Sequence, residues 1–269
     1  MASYQPSFTG CWAKVIRSKE QRDSLDAYIR ETLKAKANCP RFLVKFESHT
    51  REYVFFLDYV PDLHGFFDAV SVRLGEIVHN LRSALDHLVF QLALWNTNGS
   101  VQKDWIVQFP ITDNCGEFAK AKIKHLKEVH TKHAALIERF QGYHRIHSIR
   151  GSNPLAILRD FSNMDKHRLL LSVIIPWGAI EVSVNDQPIL LMDAFRKMFF
   201  RKSLKLRPIK LGTEITRMKI NNGMSEKEMY VTGYVIPQVM LSKRRPIITA
   251  VDRMQSVVVK LIRECEQLF

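Results

Sequence analysis

The chain has 269 residues, 46% hydrophobic and 25% charged, a composition that excludes a disordered or fibrous protein and can supply a sizeable core. Its 40 Lys and Arg against 27 Asp and Glu leave a net charge of +13, which favours a polyanionic partner. Nucleic acid stands first, with an anionic membrane surface or an acidic protein as alternatives. No apolar run reaches the roughly 20 residues needed to span a bilayer, since "LLLSVIIPWGAI" (169–180) is short and interrupted by Ser172 and Pro176.

"MASYQPSFTG" has no basic stretch leading into an apolar one, so a secretory signal is not expected. Cys11, Cys39, Cys115 and Cys265 lack the close pairing of a zinc ribbon or redox motif. Free, mostly buried thiols in a cytoplasmic protein are expected. From Ala13 to Lys36 the apolar residues fall at helical spacing, predicting an amphipathic helix that ends before Pro40. "RFLVKFES" and "REYVFFLDYV" flank a polar turn at His49 and Thr50, a β-hairpin pattern over about 41–60.

A long helix is predicted from Gly65 to Trp95, followed by a loop at "NTNGS" and an extended "WIVQFPI" stopped by Pro110. Residues 115–141 read as one or two helices, and "NPLAILRDFSNM" as another with Pro154 in its first turn. After residue 170 the pattern becomes short β-type runs between turn residues, "LLLSVII", "AIEVSV", "PILLMD", "TRMKI" and "EMYVTGYVIPQVML". Ile247, Val251, Met254, Val258, Leu261 and Ile262 then form one stripe of a closing helix. The fold class is α+β: a mainly helical region over 1–170 carrying the hairpin, and a β-rich segment with its helix over 171–269, packed as one unit.

On the long helix, Leu74, Val78, Leu81, Leu85, Leu88 and Leu92 share one narrow arc that must face the core. Its polar groups are also organised. Glu76, Asn80, Ser83 and His87 share one flank, whereas His79, Arg82 and Asp86 lie on the other side of the polar arc, with Arg82 more than a third of a turn from His87. Arg82 and Asp86 have the spacing of an ordinary i,i+4 salt bridge, and His87 that of a histidine donating to a neighbouring helix.

"RSALDH" (82–87) also resembles the Arg-x4-6-His motif of the HEPN superfamily, compact helical domains that include many metal-independent ribonucleases. The resemblance implies a HEPN-like helical core over the first part of the chain, with Arg82 and His87 as catalytic residues. Two motifs commonly meet across a homodimer interface in that family. Ser83 stands where many family nucleases carry Asn, Asp or His. Asn80, Ser83 and Asp86 are candidate supporting groups.

The residue types suit RNA cleavage by attack of the ribose 2′-hydroxyl. An imidazole moves protons near neutral pH, and a guanidinium offers fixed charge and a bidentate fork to the phosphorane oxygens. Neither cofactor nor metal is called for. The products would be 2′,3′-cyclic phosphate and 5′-hydroxyl ends, and DNA would resist. By family likeness such an enzyme would act as a toxin or antiviral defence effector, held in check by an inhibitor or switched on by an activating protein.

"NMDKHRLLL" (163–171) brings Lys166, His167 and Arg168 together, either as a further contact to phosphate or as an ordinary basic helix end. "RKMFFRKSLKLRPIK" (196–210) carries Arg196, Lys197, Arg201, Lys202, Lys205 and Arg207 around Phe199 and Phe200 without an acidic residue. It is either an RNA-contacting segment or a solvated basic stretch. His125, His130, His133, His144 and His147 lack the carboxylate or thiolate partners of a zinc site and read as exposed helical histidines. The competing expectation is a non-catalytic RNA-binding or assembly protein, in which "HNLRSALDH" serves packing and ion pairing.

Overall fold

The computed structural model describes residues 4–38, 40–144, 153–167, 173–174, 177–184, 187–191, 211–219, 231–237, 240–241 and 245–269; of 36, 64, 165–167, 215, 216, 218 and 245 and of the strands within 173–191 and 231–241 it gives the backbone alone. The architecture is α+β, and the two compact units are not consecutive in sequence. One comprises residues 1–26, 68–172 and 245–269, the other 27–67 and 173–244. The hairpin groups with the later strands, and the last helix with the helical unit.

The helical unit is built on α1 (Thr9–Lys34), α2 (His64–Asn96) and the closing helix α6 (Ile247–Glu266), whose first two members extend into the second unit. Between α2 and α6 come α3 (Cys115–His125), α4 (Thr131–Arg139) and α5 (Pro154–His167). The α2 stripe is core as its periodicity requires, with Leu74, Val78, Leu81, Leu85, Leu88 and Leu92 fully buried. Each such side chain contributes about 1.5–3 kcal/mol by leaving water.

Helix α1 runs antiparallel to both long neighbours. Along α2 its contacts run from Ser7 on Gln91, through Gln21 on Asn80 and Glu76, to Ser24 on Arg73. Along α6, Trp12 donates to Glu266, Ser18 accepts from Gln255, and Arg22 grips Asp252 through Nε and Nη2 at 2.8 and 3.1 Å. Helix α6 buries Ile247, Val251, Met254, Val258, Leu261 and Ile262, the stripe expected from sequence.

Side chains also fix where the shorter helices start. Asn114 accepts from the Glu117 N–H, while Glu117 reaches back to the Asp113 N–H, a reciprocal cap for α3. Asn153 accepts from the Leu155 N–H at the start of α5, and Pro154 occupies the first helical position.

In the second unit, β1 (Arg41–Glu47) and β2 (Glu52–Tyr59) form the expected hairpin, paired from Arg41 with Tyr59 to Glu47 with Glu52. The turn places Arg51 at a φ of 55°. The hairpin lies inside a six-stranded antiparallel sheet of order β5-β4-β7-β1-β2-β6, formed with β4 (Trp177–Val184), β5 (Gln187–Leu191), β6 (Glu214–Met218) and β7 (Val231–Pro237). Two short strands, β3 (Val173–Ile174) and β8 (Met240–Leu241), also pair. Val54, Phe55 and Leu57 are buried, and Phe42 meets Phe55 edge to face at 6.2 Å.

Candidate functional site

Helix α2 presents Arg82 and Asp86 to residues 107–112, which pass over it without joining a sheet. The segment expected to be extended begins instead as a single 3-10 turn, Asp104–Ile106, and then runs on unpaired. Side chains supply the hydrogen bonds a neighbouring strand would have made. Phe109 donates its N–H to Asp86 Oδ1 at 2.8 Å, and its carbonyl accepts from Arg82 Nη2 at 2.6 Å. Within the pair, Arg82 Nε and Nη2 donate to Asp86 Oδ2 and Oδ1 at 3.2 and 3.0 Å.

The next peptides are held by Gln141, which is fully buried. It donates to the Pro110 and Ile137 carbonyls and accepts from the Thr112 N–H and hydroxyl. Pro110 has no N–H to pair, so its carbonyl is the group that needs a donor.

This arrangement leaves a cleft of about 240 Å³ lined by Arg82, His125, Arg159, Ser162, Asn163 and residues 108–112. Arg159 of α5 pairs with Asp113 at 2.9 Å and Asp160 at 2.8 Å. These carboxylates hold its guanidinium charged, although burial opposes them. His125 of α3 stands with Nδ1 2.8 Å from the Ile106 carbonyl. Because a carbonyl only accepts, the proton belongs on Nδ1, and Nε2 is the acceptor of the neutral ring.

Arg82 and His87 are not brought together within the chain. Arg82, 16% exposed, faces the cleft. His87 is exposed on the α1 side, where its Nδ1 lies 3.0 Å from the position a Cβ on Gly10 would occupy. Asn80 belongs to that second flank as well, donating to Gln21 at 2.8 Å. Asp86 is beside Arg82, and Ser83 is half-buried on α2. Lys166 and His167 occupy the last turn of α5, with His167 one helical turn beyond Asn163. Arg168, Arg196, Lys197, Arg201, Lys202, Lys205 and Arg207 lie outside the described residues.

Of the histidines read as exposed, His133 is corrected: it is fully buried, against Trp95 and Phe269; His125 and His144 are half-buried, His130 is exposed, and His147 lies outside the described residues. Among the described residues no group of three or more His, Cys, Asp or Glu is arranged to hold a metal ion. No described helix is long and apolar enough to cross a membrane. The cleft members His125, Arg159 and Ser162 were not singled out as site residues by sequence, because no local spacing links α3 and α5 to Arg82. No protein-family model, curated protein or solved structure matches the chain.

Proposed function

We propose that the chain is a metal-independent endoribonuclease with a HEPN-like helical core, centred on Arg82. The observation that carries this reading is the state of that guanidinium. Nε and Nη2 are engaged by Asp86 and Phe109, so the fork is held rigidly, while among the described residues Nη1 has no partner, which leaves its two N–H for a ligand. A preoriented guanidinium stabilises charge developing on phosphorane oxygens without reorganising at the moment of reaction. The net charge of +13 supports RNA as the polyanion.

In the motif reading His87 is the proton-transfer group. Since it sits on the other side of α2 from Arg82, it would serve the Arg82 of a second copy, across a homodimer interface. Lys166 and Arg168, with the basic run from Arg196 to Arg207, would track the RNA backbone. A cytoplasmic role as toxin or defence effector, restrained by an inhibitor or released by a partner, follows from family likeness alone.

The experiment is cleavage of end-labelled RNA in excess EDTA by wild type, Arg82→Lys, His87→Ala and an equimolar mixture of the two variants. The expected results are RNA cleavage by wild type, a loss of about 100-fold or more in Arg82→Lys, and recovery in the mixture if the site is shared between copies.

A second reading is favoured by the grip of Arg82 and Asp86 on Phe109, which accounts for both residues without any catalysis. RNA that binds tightly and remains whole in every sample would establish a binding or assembly protein. RNA that neither binds nor is cut would remove both readings.

A further inference from the structure

We propose that the cleft seats a phosphodiester of RNA and that His125, in the same subunit, is the group that exchanges a proton with it. The inference rests on the ribonuclease reading for the chemistry, but not for the binding, and it puts His125 in the proton-transfer role that the motif gives to His87.

Among the described residues, His125 is the histidine that shares a cleft with Arg82; His87 faces α1. Its ring is already set for the task. The Ile106 carbonyl takes the Nδ1 proton at 2.8 Å, so the neutral ring keeps its lone pair on Nε2. A base oriented by a second group is the arrangement from which general acid-base catalysis is built.

The remaining lining provides for the phosphate itself. Arg82 Nη1 has two N–H to offer, and the Ser162 hydroxyl and Asn163 amide lie in the same wall. Both arginines are matched by carboxylates, Asp86 for Arg82 and Asp113 with Asp160 for Arg159. The cleft therefore orients a phosphate through aimed donors more than through excess charge, and affinity must come from neighbouring phosphates on the basic chain. At about 240 Å³ it is smaller than the roughly 300–1,000 Å³ of most small-molecule pockets, which suits one phosphate and its sugar. Trp105, 75% exposed and next to Ile106, offers an aromatic face on which a flanking base can stack.

In the cleavage step the ribose 2′-oxygen forms a bond to phosphorus and the bond from phosphorus to the 5′-oxygen breaks. The 2′ proton passes to His125 Nε2, the departing 5′-oxygen takes a proton from water, and His125 returns its proton to solvent. Charge on the phosphorane oxygens falls to the Nη1 donors of Arg82.

The test uses the full chain and His125→Asn, whose side-chain amide can still donate to the Ile106 carbonyl, beside His87→Ala. Binding is read with a fluorescently labelled 2′-O-methyl oligoribonucleotide, which cannot be cut, by polarisation for every protein, and its place is read in wild type by displacement of the His125 ring resonances. Cleavage is read in EDTA with the unmodified oligomer. The expected result is that the uncleavable RNA shifts the His125 resonances, that His125→Asn binds it within about 3-fold of wild type, and that cleavage falls by about 100-fold or more.

Cleavage kept in His125→Asn and lost in His87→Ala would overturn the inference while leaving the ribonuclease reading in place. His125 resonances that shift when no RNA is cut by wild type would support the phosphate site and overturn its proton transfer, together with the ribonuclease reading. RNA that binds without moving those resonances would overturn the site itself.

Discussion

The ring of His133 is fully buried, stacked on Phe269 at 4.9 Å and against the edge of Trp95 at 5.2 Å, and neither nitrogen has a hydrogen-bond partner. Burial, with help from the charges of Lys132 and His130, brings its pKa from 6.5 to about 4. Above pH 6.5 the ring is neutral in both folded and unfolded chains and adds no pH dependence. As pH falls from 6.5 towards 4 the unfolded chain binds a proton that the folded chain refuses, so stability falls across that window. Urea unfolding should show about 2–3 kcal/mol more acid loss in wild type than in His133→Phe; equal pH profiles would contradict the assignment.

Thiol chemistry follows burial in the same way. Burial pushes Cys11 and Cys265 up to about 12, whereas Cys115 is exposed. Peptide mapping after brief alkylation should therefore find Cys115 modified and Cys11 and Cys265 protected until the chain unfolds. Cys11, Cys115 and Cys265 are free, as expected from their scattered positions, while Cys39 lies outside the described residues; nothing in "HTKH" distinguishes buried His133 from exposed His130. The distinction comes from Trp95 and Phe269, far away in the chain.

At the scale of elements, the helix stripes of α2 and α6 and the β1–β2 hairpin were legible because each is fixed by a local period, 3.6 or 2, that burial then enforces. The 107–113 segment was not. Its alternation and Pro110 suggest an extended run, but its hydrogen bonds go to Arg82, Asp86 and Gln141, which no local pattern can announce. Truncating Gln141 to Ala leaves the Thr112 N–H and Pro110 carbonyl buried without partners, a loss of about 2–3 kcal/mol measurable by denaturant titration. A change under about 0.5 kcal/mol would mean the segment is held by its apolar side chains instead.

The approach of α1 to α2 gives a second test. Ala at a helical Gly ordinarily stabilises by about 0.5–1 kcal/mol, but a Cβ at Gly10 would press on His87 Nδ1 at 3.0 Å. Gly10→Ala should therefore gain that amount with His87→Ala present and less without it, a non-additivity that a double-mutant cycle measures.

For the whole molecule, hydrophobic periodicity foretold an α+β chain, and the turn signals placed the strands. What it could not reveal was how distant segments combine. The hairpin is completed by strands more than a hundred residues later, and α6 closes the helical unit that α1 begins. The same holds for the candidate site. Arg82 could be read from its motif, whereas His125 and Arg159 join it only because α2, α3 and α5 converge on the 107–113 segment. A functional cleft made of such segments leaves no spacing to recognise.

The central claim is that Arg82 serves cleavage in which the RNA's own 2′-hydroxyl is the nucleophile. Its most direct test is a DNA strand containing one ribonucleotide, incubated with the purified chain in excess EDTA. A single cut on the 3′ side of that ribonucleotide, leaving a 2′,3′-cyclic phosphate, is the expected result. Cuts among the deoxynucleotides, or a bound chimera that stays whole together with an all-RNA control, would contradict it.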